Sequence, residues 1–313
     1  MTGKVGMVSL GCPKNQMDAE LMLAKIAKAG YEITPESGLA DVVIINTCGF
    51  IEDAKKEAIE NILEFAQLKK EKRIRGIIVT GCLAERYREE LVSELPECDA
   101  VLGLGANGDI VEAVETVLSG GHLVRFPDRS CWSLEGDRVL TTPSFFAYMR
   151  IADGCNHRCA YCAIPLIRGN YRSRPFDDIV AECERLANEG VTEITLIAQD
   201  TSRYGCDLGD GHYLLPELLR RLSDIEKLHW IRVLYCYPDS TTDELLDEIE
   251  INAKVAKYLD LPLQHINDDL LRRMNRRGSS EWIKSRIAEC KKRGITLRTT
   301  MIVGFPGETE EQF

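Results

Sequence analysis

No apolar run in this chain approaches the ~20 residues that a membrane-crossing helix needs. The first residues also lack the charged-then-apolar pattern of a secretion signal. A basic excess is missing too. Net charge is −11, and both halves share it: residues 1–140 hold 16 Lys and Arg against 23 Asp and Glu, residues 141–313 hold 23 against 27. General nucleic-acid binders are usually basic over the binding domain, so this balance suits a basic protein partner better. These absences exclude a helical membrane span and predict a cytoplasmic chain with no membrane partner. At 313 residues, 44% hydrophobic and 28% charged, the chain has ordinary globular composition and room for two domains.

Cysteine, by contrast, is plentiful, with 12 in the chain. Without a secretion signal these read as reduced thiols and metal ligands, not disulfides. Three of them, Cys155, Cys159 and Cys162, form C-x3-C-x2-C within Gly154–Pro165, and no fourth lies close by. A structural zinc site takes four ligands, and an ordinary [4Fe–4S] cluster takes four cysteines. Three cysteines would hold three irons and leave the fourth open to a ligand from outside. The competing reading is a zinc knuckle closed by His157.

Short aliphatic runs alternate with helical stripes along the chain. Lys4–Leu10 predicts a strand, followed by a helix with Leu21, Met22 and Ile26 on its apolar stripe and Gly30 at its end. Asp41–Asn46 is a buried strand by its unbroken aliphatic run, and a long amphipathic helix follows to about Lys70. Arg75–Thr80 and Ala100–Leu104 predict further strands, each with a helix after it, the last capped by Asn107 and ending near Leu118. This predicts a doubly wound parallel sheet over residues 1–118. Residues 119–144, with Pro127, Gly136 and Pro143 and no clear period, read as a linker in which Cys131 and Trp132 take no role. From Phe145–Ile151 onward the strand-then-helix unit repeats, with strands at Glu193–Ala198, His229–Tyr235, Tyr258–Leu263 and Ile295–Val303. Five such units predict a partial (β/α) barrel over residues 145–313, with the central cysteine loop on the face where barrel enzymes keep their chemistry. Thr309 to Gln312 has capping-box spacing just before the sequence stops, so a helix is expected to continue in a longer chain.

Three N-terminal strands each run directly into a cysteine: Gly11-Cys12, Thr47-Cys48 and Gly81-Cys82. In doubly wound sheets ligands lie past the carboxyl ends of the strands, and the helix N-termini that follow favour thiolates and the negative charge of a cluster. One such cysteine reads as a core residue; three at equivalent positions read as a second three-cysteine iron–sulfur site.

The spacing Cys155-x3-Cys159-x2-Cys162, with Tyr161 before the last cysteine, resembles the radical S-adenosylmethionine (SAM) enzymes, in which SAM binds the open iron and yields a 5′-deoxyadenosyl radical. The whole chain resembles the methylthiotransferases of that superfamily. Cys12, Cys48 and Cys82 fall where the family places an auxiliary [4Fe–4S] cluster, and Cys155, Cys159 and Cys162 where it places the SAM cluster. Ser9-Leu10-Gly11-Cys12-Pro13-Lys14-Asn15, Ile197-Ala198-Gln199-Asp200-Thr201 and Pro262-Leu263-Gln264-His265 look like the branch that modifies an aspartate of small-subunit ribosomal protein number twelve; the tRNA branch typically has Gln-Met at Pro13-Lys14. The resemblance implies two [4Fe–4S] clusters, SAM as both methyl donor and radical source, an external electron donor, and methylthio transfer to the aspartate β-carbon. Family members continue with a sixth barrel strand and a small RNA-binding-type β-barrel domain, through which RNA contact is implied; neither is present in this sequence.

Tyr161 is expected near the adenine, and Gln199, Gln264 and His265, at the ends of barrel strands two and four, are expected to face SAM or substrate. Arg168, Arg172 and Arg174 are candidates for pairing with the SAM carboxylate or acidic substrate groups, against a plain structural ion pair. Gly304-Phe305-Pro306-Gly307 reads as a turn that shapes the SAM pocket or simply closes the strand. Cys98, Cys183, Cys206, Cys236 and Cys290 have no ligand spacing, and the acidic run Asp243 to Glu250 reads as a solvated helix face. Two alternatives stay open: a tRNA adenosine methylthiotransferase, and a non-catalytic metal-bound scaffold or electron carrier.

Overall fold

The structure, a computed structural model, describes residues 3–313 and divides the chain into two compact units. One holds the chain up to Thr141 together with Leu166–Gly169; the other holds Thr142–Pro165 and Asn170–Phe313.

The N-terminal unit contains β1 (Lys4–Ser9), α1 (Pro13–Lys28), β2 (Glu32–Thr34), β3 (Val42–Thr47), α2 (Glu52–Lys70), β4 (Gly76–Gly81), α3 (Cys82–Glu94), β5 (Ala100–Leu102), α4 (Ile110–Leu118) and β6 (Leu123–Arg125). Its six strands are all parallel, in the order β2-β1-β3-β4-β5-β6. β3 and β4 are buried at every residue, which is why their sequences read as unbroken aliphatic runs. Alternate residues serve opposite cores. Val42, Ile44 and Ile78 pack with Leu21, Met22 and Ile26 of α1 and Val114 of α4; Val43, Ile45, Ile77 and Val79 pack with Ile62 and Phe65 of α2 and Leu83 of α3. The chain reverses its direction of travel across the sheet between β1 and β3, the switch point where such folds open a crevice for ligands.

The expected linker is part of this unit up to Thr141. β6 pairs with β5, Trp132 and Leu134 enter the α1–α4 core, and Arg138 Nη1 bonds Glu20 Oε2 at 3.0 Å. A three-residue edge strand is too short to show a period, and single large apolar residues between turns leave no pattern. Asn107, expected as a cap, instead accepts a 2.5 Å bond from Thr80 Oγ1, and Asp109 takes the cap position of α4.

The C-terminal unit begins with β7 (Phe146–Arg150) and β8 (Ala152–Asp153), which pairs antiparallel with β9 (Arg172–Ser173). α5 (Ile164–Arg168) lies between them in sequence, and from Leu166 on it belongs to the N-terminal unit. Then come α6 (Phe176–Asn188), β10 (Glu193–Ile197), α7 (Leu215–Ser223), β11 (Trp230–Val233), α8 (Asp243–Ile251), β12 (Tyr258–Asp260), α9 (Asp268–Arg273), α10 (Ser280–Lys292) and β13 (Thr296–Arg298). β7, β10 and β11 pair in parallel, as do β12 and β13, and an Ile231–Val255 bridge leads from β11 toward β12. Successive parallel strands therefore neighbour one another in chain order, the arrangement of a (β/α) barrel.

Candidate metal centres

In the N-terminal unit the three cysteines stand where β1, β3 and β4 end. Cys12 is the N-cap of α1, with Pro13 at its first turn, and Cys82 opens α3. Gly11 and Gly81 both have φ +95°, a backbone that side chains rarely adopt. A Cβ on Gly81 would lie 2.4 Å from the Thr47 carbonyl oxygen, and one on Gly11 would lie 3.0 Å from Cys48 Sγ. The strand ends can therefore close on one another only through these glycines.

Buried amides and hydroxyls then pin the loops. Asn15 Nδ2 donates to the carbonyl oxygens of Leu10 (2.7 Å), Asn46 (3.2 Å) and Thr47 (3.2 Å). Asn46 Nδ2 donates to Asn15 O at 2.7 Å, and Thr47 Oγ1 to Thr80 O at 2.5 Å. Asn15 Oδ1 in turn accepts from Arg168 Nη2 at 3.4 Å. Cys12 is exposed, Cys48 half-buried and Cys82 buried. The Cys82 thiol is raised to about 12, chiefly by burial, against the pull of the Arg168 guanidinium and with smaller upward pushes from charge on Cys12, Cys48 and Asp18. Cys48 is raised by burial and eased by the Phe50 N–H that it accepts.

In the barrel unit Cys155 and Cys159 are buried and Cys162 is half-buried. Positive φ at Gly154 (80°) and Arg158 (53°) bends the chain around them. Burial raises the Cys155 thiol to about 11 while the His157 N–H lowers it; Cys162 is likewise raised by burial and lowered by the Ile164 N–H. Asn275 Nδ2 donates to the carbonyls of His157 (3.3 Å) and Arg158 (2.9 Å), and Ala160 N to Met274 O (2.9 Å).

Beneath this loop lies a stack of buried groups. Arg276 Nη1 reaches Cys159 Sγ at 4.0 Å, and Nη2 donates to Pro262 O at 2.6 Å. Its guanidinium lies 4.2 Å from the Tyr237 ring centre, close enough for a cation–π contact. Tyr237 stacks on His157 at 4.1 Å with the planes 1° apart. His157 Nε2 pairs with Asp200 Oδ2 at 2.6 Å, and Ser202 Oγ donates to Asp200 Oδ1 at 2.6 Å. His157 is thus committed to Asp200 and Tyr237, which speaks against its closing a zinc knuckle.

The other expected residues are distributed unevenly. Tyr161 lies by the cysteines: its buried hydroxyl, pushed up by desolvation, rests against the Cys159 thiol with no partner at full hydrogen-bond geometry. Gln199 Nε2 donates to Asp153 Oδ1 at 2.8 Å, and its Oε1 is buried with no hydrogen-bond partner among the described residues. Gln264 has φ +71° and uses its backbone to hold Thr300 and Ile302. His265 has both ring nitrogens engaged: Nδ1 accepts from Asn267 N (2.9 Å), and Nε2 faces Glu308 Oε1 at 3.1 Å. Glu308 Oε2 in turn accepts from Phe305 N at 2.9 Å, so His265 braces the Gly304–Gly307 turn. Arg174 is a structural ion pair with Glu182 at 2.7 Å. Arg168 reaches Asp18 and Cys82 in the N-terminal unit. Arg276, Tyr237 and Asn275 went unpredicted, because residues from four separate loops meet only in the folded unit; the one available signal was Asp200 beside Gln199.

Among the described residues no three His, Cys, Asp or Glu side chains gather round one ion-sized position; a four-iron cube is wider than an ion and takes its cysteines further apart. The donor chemistry fits such a cluster. Each triplet supplies three thiols with three ligands' worth of charge, backbone N–H groups aimed at sulfur, and one arginine at a sulfur, and hydrogen bonds of that kind tune iron–sulfur clusters.

Residues 4–103 match the Uncharacterized protein family UPF0004, and residues 149–313 match the Radical SAM superfamily. A protein of Thermoanaerobacter sp. (strain X514) named ribosomal protein uS12 methylthiotransferase RimO is 49% identical over 311 residues, covering 99% of this chain and 71% of its own length. Its namesake in Clostridium kluyveri is 50% identical over 316 residues, with 99% and 70% covered. Among solved structures, the radical SAM methyltransferase TsrM from Kitasatospora setae with cobalamin and a [4Fe–4S] cluster bound is similar at a TM-score of 0.68 and 16% identity, over 100% of this chain and 71% of that one. The cobalamin-dependent SAM radical enzyme OxsB is similar at 0.63 and 13%, over 96% and 49%; both similarities speak for the fold alone. By sequence along nearly its whole length, this chain belongs to the RimO family of radical SAM methylthiotransferases.

Proposed function

We propose that the chain transfers a methylthio group to the β-carbon of an aspartate in ribosomal protein uS12, in the cytoplasm, using electrons from an external donor. The observation that carries this reading is the pair of cysteine triplets, one at the ends of the parallel strands β1, β3 and β4, the other in a single loop after β7 and β8. Cys155, Cys159 and Cys162 would hold one [4Fe–4S] cluster and leave an iron for SAM; Cys12, Cys48 and Cys82 would hold the other. When bound, these groups supply the deoxyadenosyl radical that removes hydrogen from an unactivated carbon, and the sulfur that carries the methyl.

The chain's own residues do the positioning. Asn15, Asn46 and Thr47 hold the N-terminal triplet, and Asn275 and Arg276 hold the barrel loop. Tyr161 would border the SAM adenine. Gln199, whose buried Oε1 has no partner among the described residues, would take an N–H from SAM or substrate. Gln264 and His265 would shape the far wall, His265 through the turn that it braces. The relatives' shared name and the acidic balance of both halves favour the protein substrate over tRNA.

Anaerobic reconstitution tests this. About eight irons and eight sulfides per chain are expected for two cubane clusters. Mass spectrometry should then find uS12 heavier by about 46 Da per methylthio group and tRNA unchanged. Stoichiometric zinc without iron would overturn the enzyme reading, and modification of tRNA adenosine would overturn the substrate.

A further inference from the structure

Trp132 and Arg168 are left without a role by the reading above, yet they meet at one buried carboxylate. Asp18, in α1, is fully buried. Its Oδ1 accepts from Trp132 Nε1 at 3.0 Å, and its Oδ2 from Arg168 Nη2 at 2.7 Å. The same Arg168 nitrogen lies 3.7 Å from Cys82 Sγ and 3.4 Å from Asn15 Oδ1, whose amide nitrogen pins the ends of β1 and β3. Arg168 is itself 6% exposed and Trp132 4%.

Burying an arginine and an aspartate is expensive, and well-packed apolar side chains usually serve stability as well or better. Stability alone therefore gives little reason for a charged pair at this place. Its position at a ligand sulfur gives one. The guanidinium cannot lose its proton, so it places a permanent positive charge and an N–H donor at Cys82. Asp18 fixes where that charge points, and Trp132 fixes Asp18. Hydrogen bonds to sulfur and nearby net charge are two of the main means by which a protein sets an iron–sulfur potential.

We propose that Arg168 is a positioning and tuning residue for the N-terminal centre, aimed at Cys82 by Asp18 and Trp132, and that the pair sets that centre's one-electron potential. The proposal rests on the reading in which Cys12, Cys48 and Cys82 hold a [4Fe–4S] cluster. Two opposite charges at unequal distances from the sulfur give it a signature that a purely structural pair lacks. Loss of the positive charge makes the cluster harder to reduce, and loss of the negative charge makes it easier.

The test uses the full chain with Cys155, Cys159 and Cys162 changed to Ala, so that only the N-terminal centre loads, reconstituted anaerobically and followed by redox titration with EPR detection. Arg168→Gln should move the midpoint negative and Asp18→Asn positive, each by roughly tenfold in the reduction equilibrium, about 59 mV for one electron. Arg168→Lys, which keeps the charge and shortens the reach, should fall between Arg168→Gln and the parent. Should Arg168→Gln fail to fold, Asp18→Asn and Arg168→Lys still decide by the signs of their shifts. Shifts of the same sign, or none with the cluster intact, overturn the tuning role while leaving the cluster reading standing. A parent that loads no iron overturns both.

Discussion

Cys155, Cys159 and Cys162 sit in one loop, while Cys12, Cys48 and Cys82 come from three strand ends far apart in sequence. The supports differ as much as the spacing. The loops of the N-terminal triplet are pinned by amides and hydroxyls, Asn15, Asn46, Thr47 and Thr80, and by two glycines at φ +95°, with the Arg168 guanidinium at Cys82. The barrel triplet rests on charged and aromatic groups, Arg276, Tyr237, His157 and Asp200. A short loop brings its cysteines together by itself and needs backing only from beneath. Ligands delivered by separate strands need their loops locked against one another, and buried amides and hydroxyls do that.

The largest effect should come from removing one triplet at a time. Changing Cys155, Cys159 and Cys162 together to Ala should halve the iron and abolish release of 5′-deoxyadenosine. Changing Cys12, Cys48 and Cys82 should also halve the iron, yet leave 5′-deoxyadenosine release under strong reductant while methylthio product disappears. Iron assay and product chromatography on the same preparations check both. Loss of all iron from either variant would mean that the two sites are not independent.

Next in size is the glycine lock. Gly81→Ala forces a Cβ to within 2.4 Å of the Thr47 carbonyl oxygen at φ +95°, and should cost about 3–5 kcal/mol. Denaturant unfolding should show the loss, and iron should fall by the N-terminal half alone. A variant of near-parental stability would mean that the strand ends have room to move apart.

This contrast also marks what could be read from the residues. The barrel triplet is a local pattern and needed no fold. The N-terminal triplet was legible only by placing each cysteine after a strand, which was easiest at β3 and β4, aliphatic runs that the parallel sheet buries at every residue, while β1 is buried only in part. β2 and β6, three residues each at the sheet edges, left no such trace. The Arg276–Tyr237–His157–Asp200 stack was invisible for a different reason. Its members are 37 to 43 positions apart, His157 to Asp200 spanning 43, and no periodicity links residues that meet only because successive barrel loops converge. His265 illustrates the converse: a polar residue in the right loop whose two nitrogens serve the fold.

Within the barrel unit, Arg276→Lys probes the stack at moderate cost. Lysine keeps the charge, but it cannot lie flat on Tyr237 while bonding both Pro262 O and the Cys159 sulfur. A loss of about 1–3 kcal/mol is expected, and the barrel cluster's EPR signal should broaden while the N-terminal signal stays fixed. Equal disturbance of both signals would remove the distinction between a frame of amides and a stack of charged and aromatic groups.

The smallest effect should separate the two frames by acid. The Glu308 carboxyl lies below the ordinary carboxylate range: burial would raise it, but the Phe305 N–H, His265 and the Gly304 N–H outweigh that. A depressed folded value means that its contribution is present above the unfolded value, about 4.3, and is lost as pH falls through the folded value. The Gly304–Gly307 turn should therefore loosen in acid while the backbone bonds at the end of β1 do not. Hydrogen exchange of the Phe305 amide, corrected for its intrinsic pH dependence, should show protection falling as pH drops below about 4, with the Leu10 amide, bonded to Asn46 O at 2.9 Å, unaffected. Glu308→Gln should be less protected than the parent at neutral pH and converge with it in acid, because the glutamine already lacks the charge that the parent loses. Parallel loss at Phe305 and Leu10 would mean that acid acts on the chain as a whole, and a Glu308→Gln variant as protected as the parent at neutral pH would remove Glu308 from the brace.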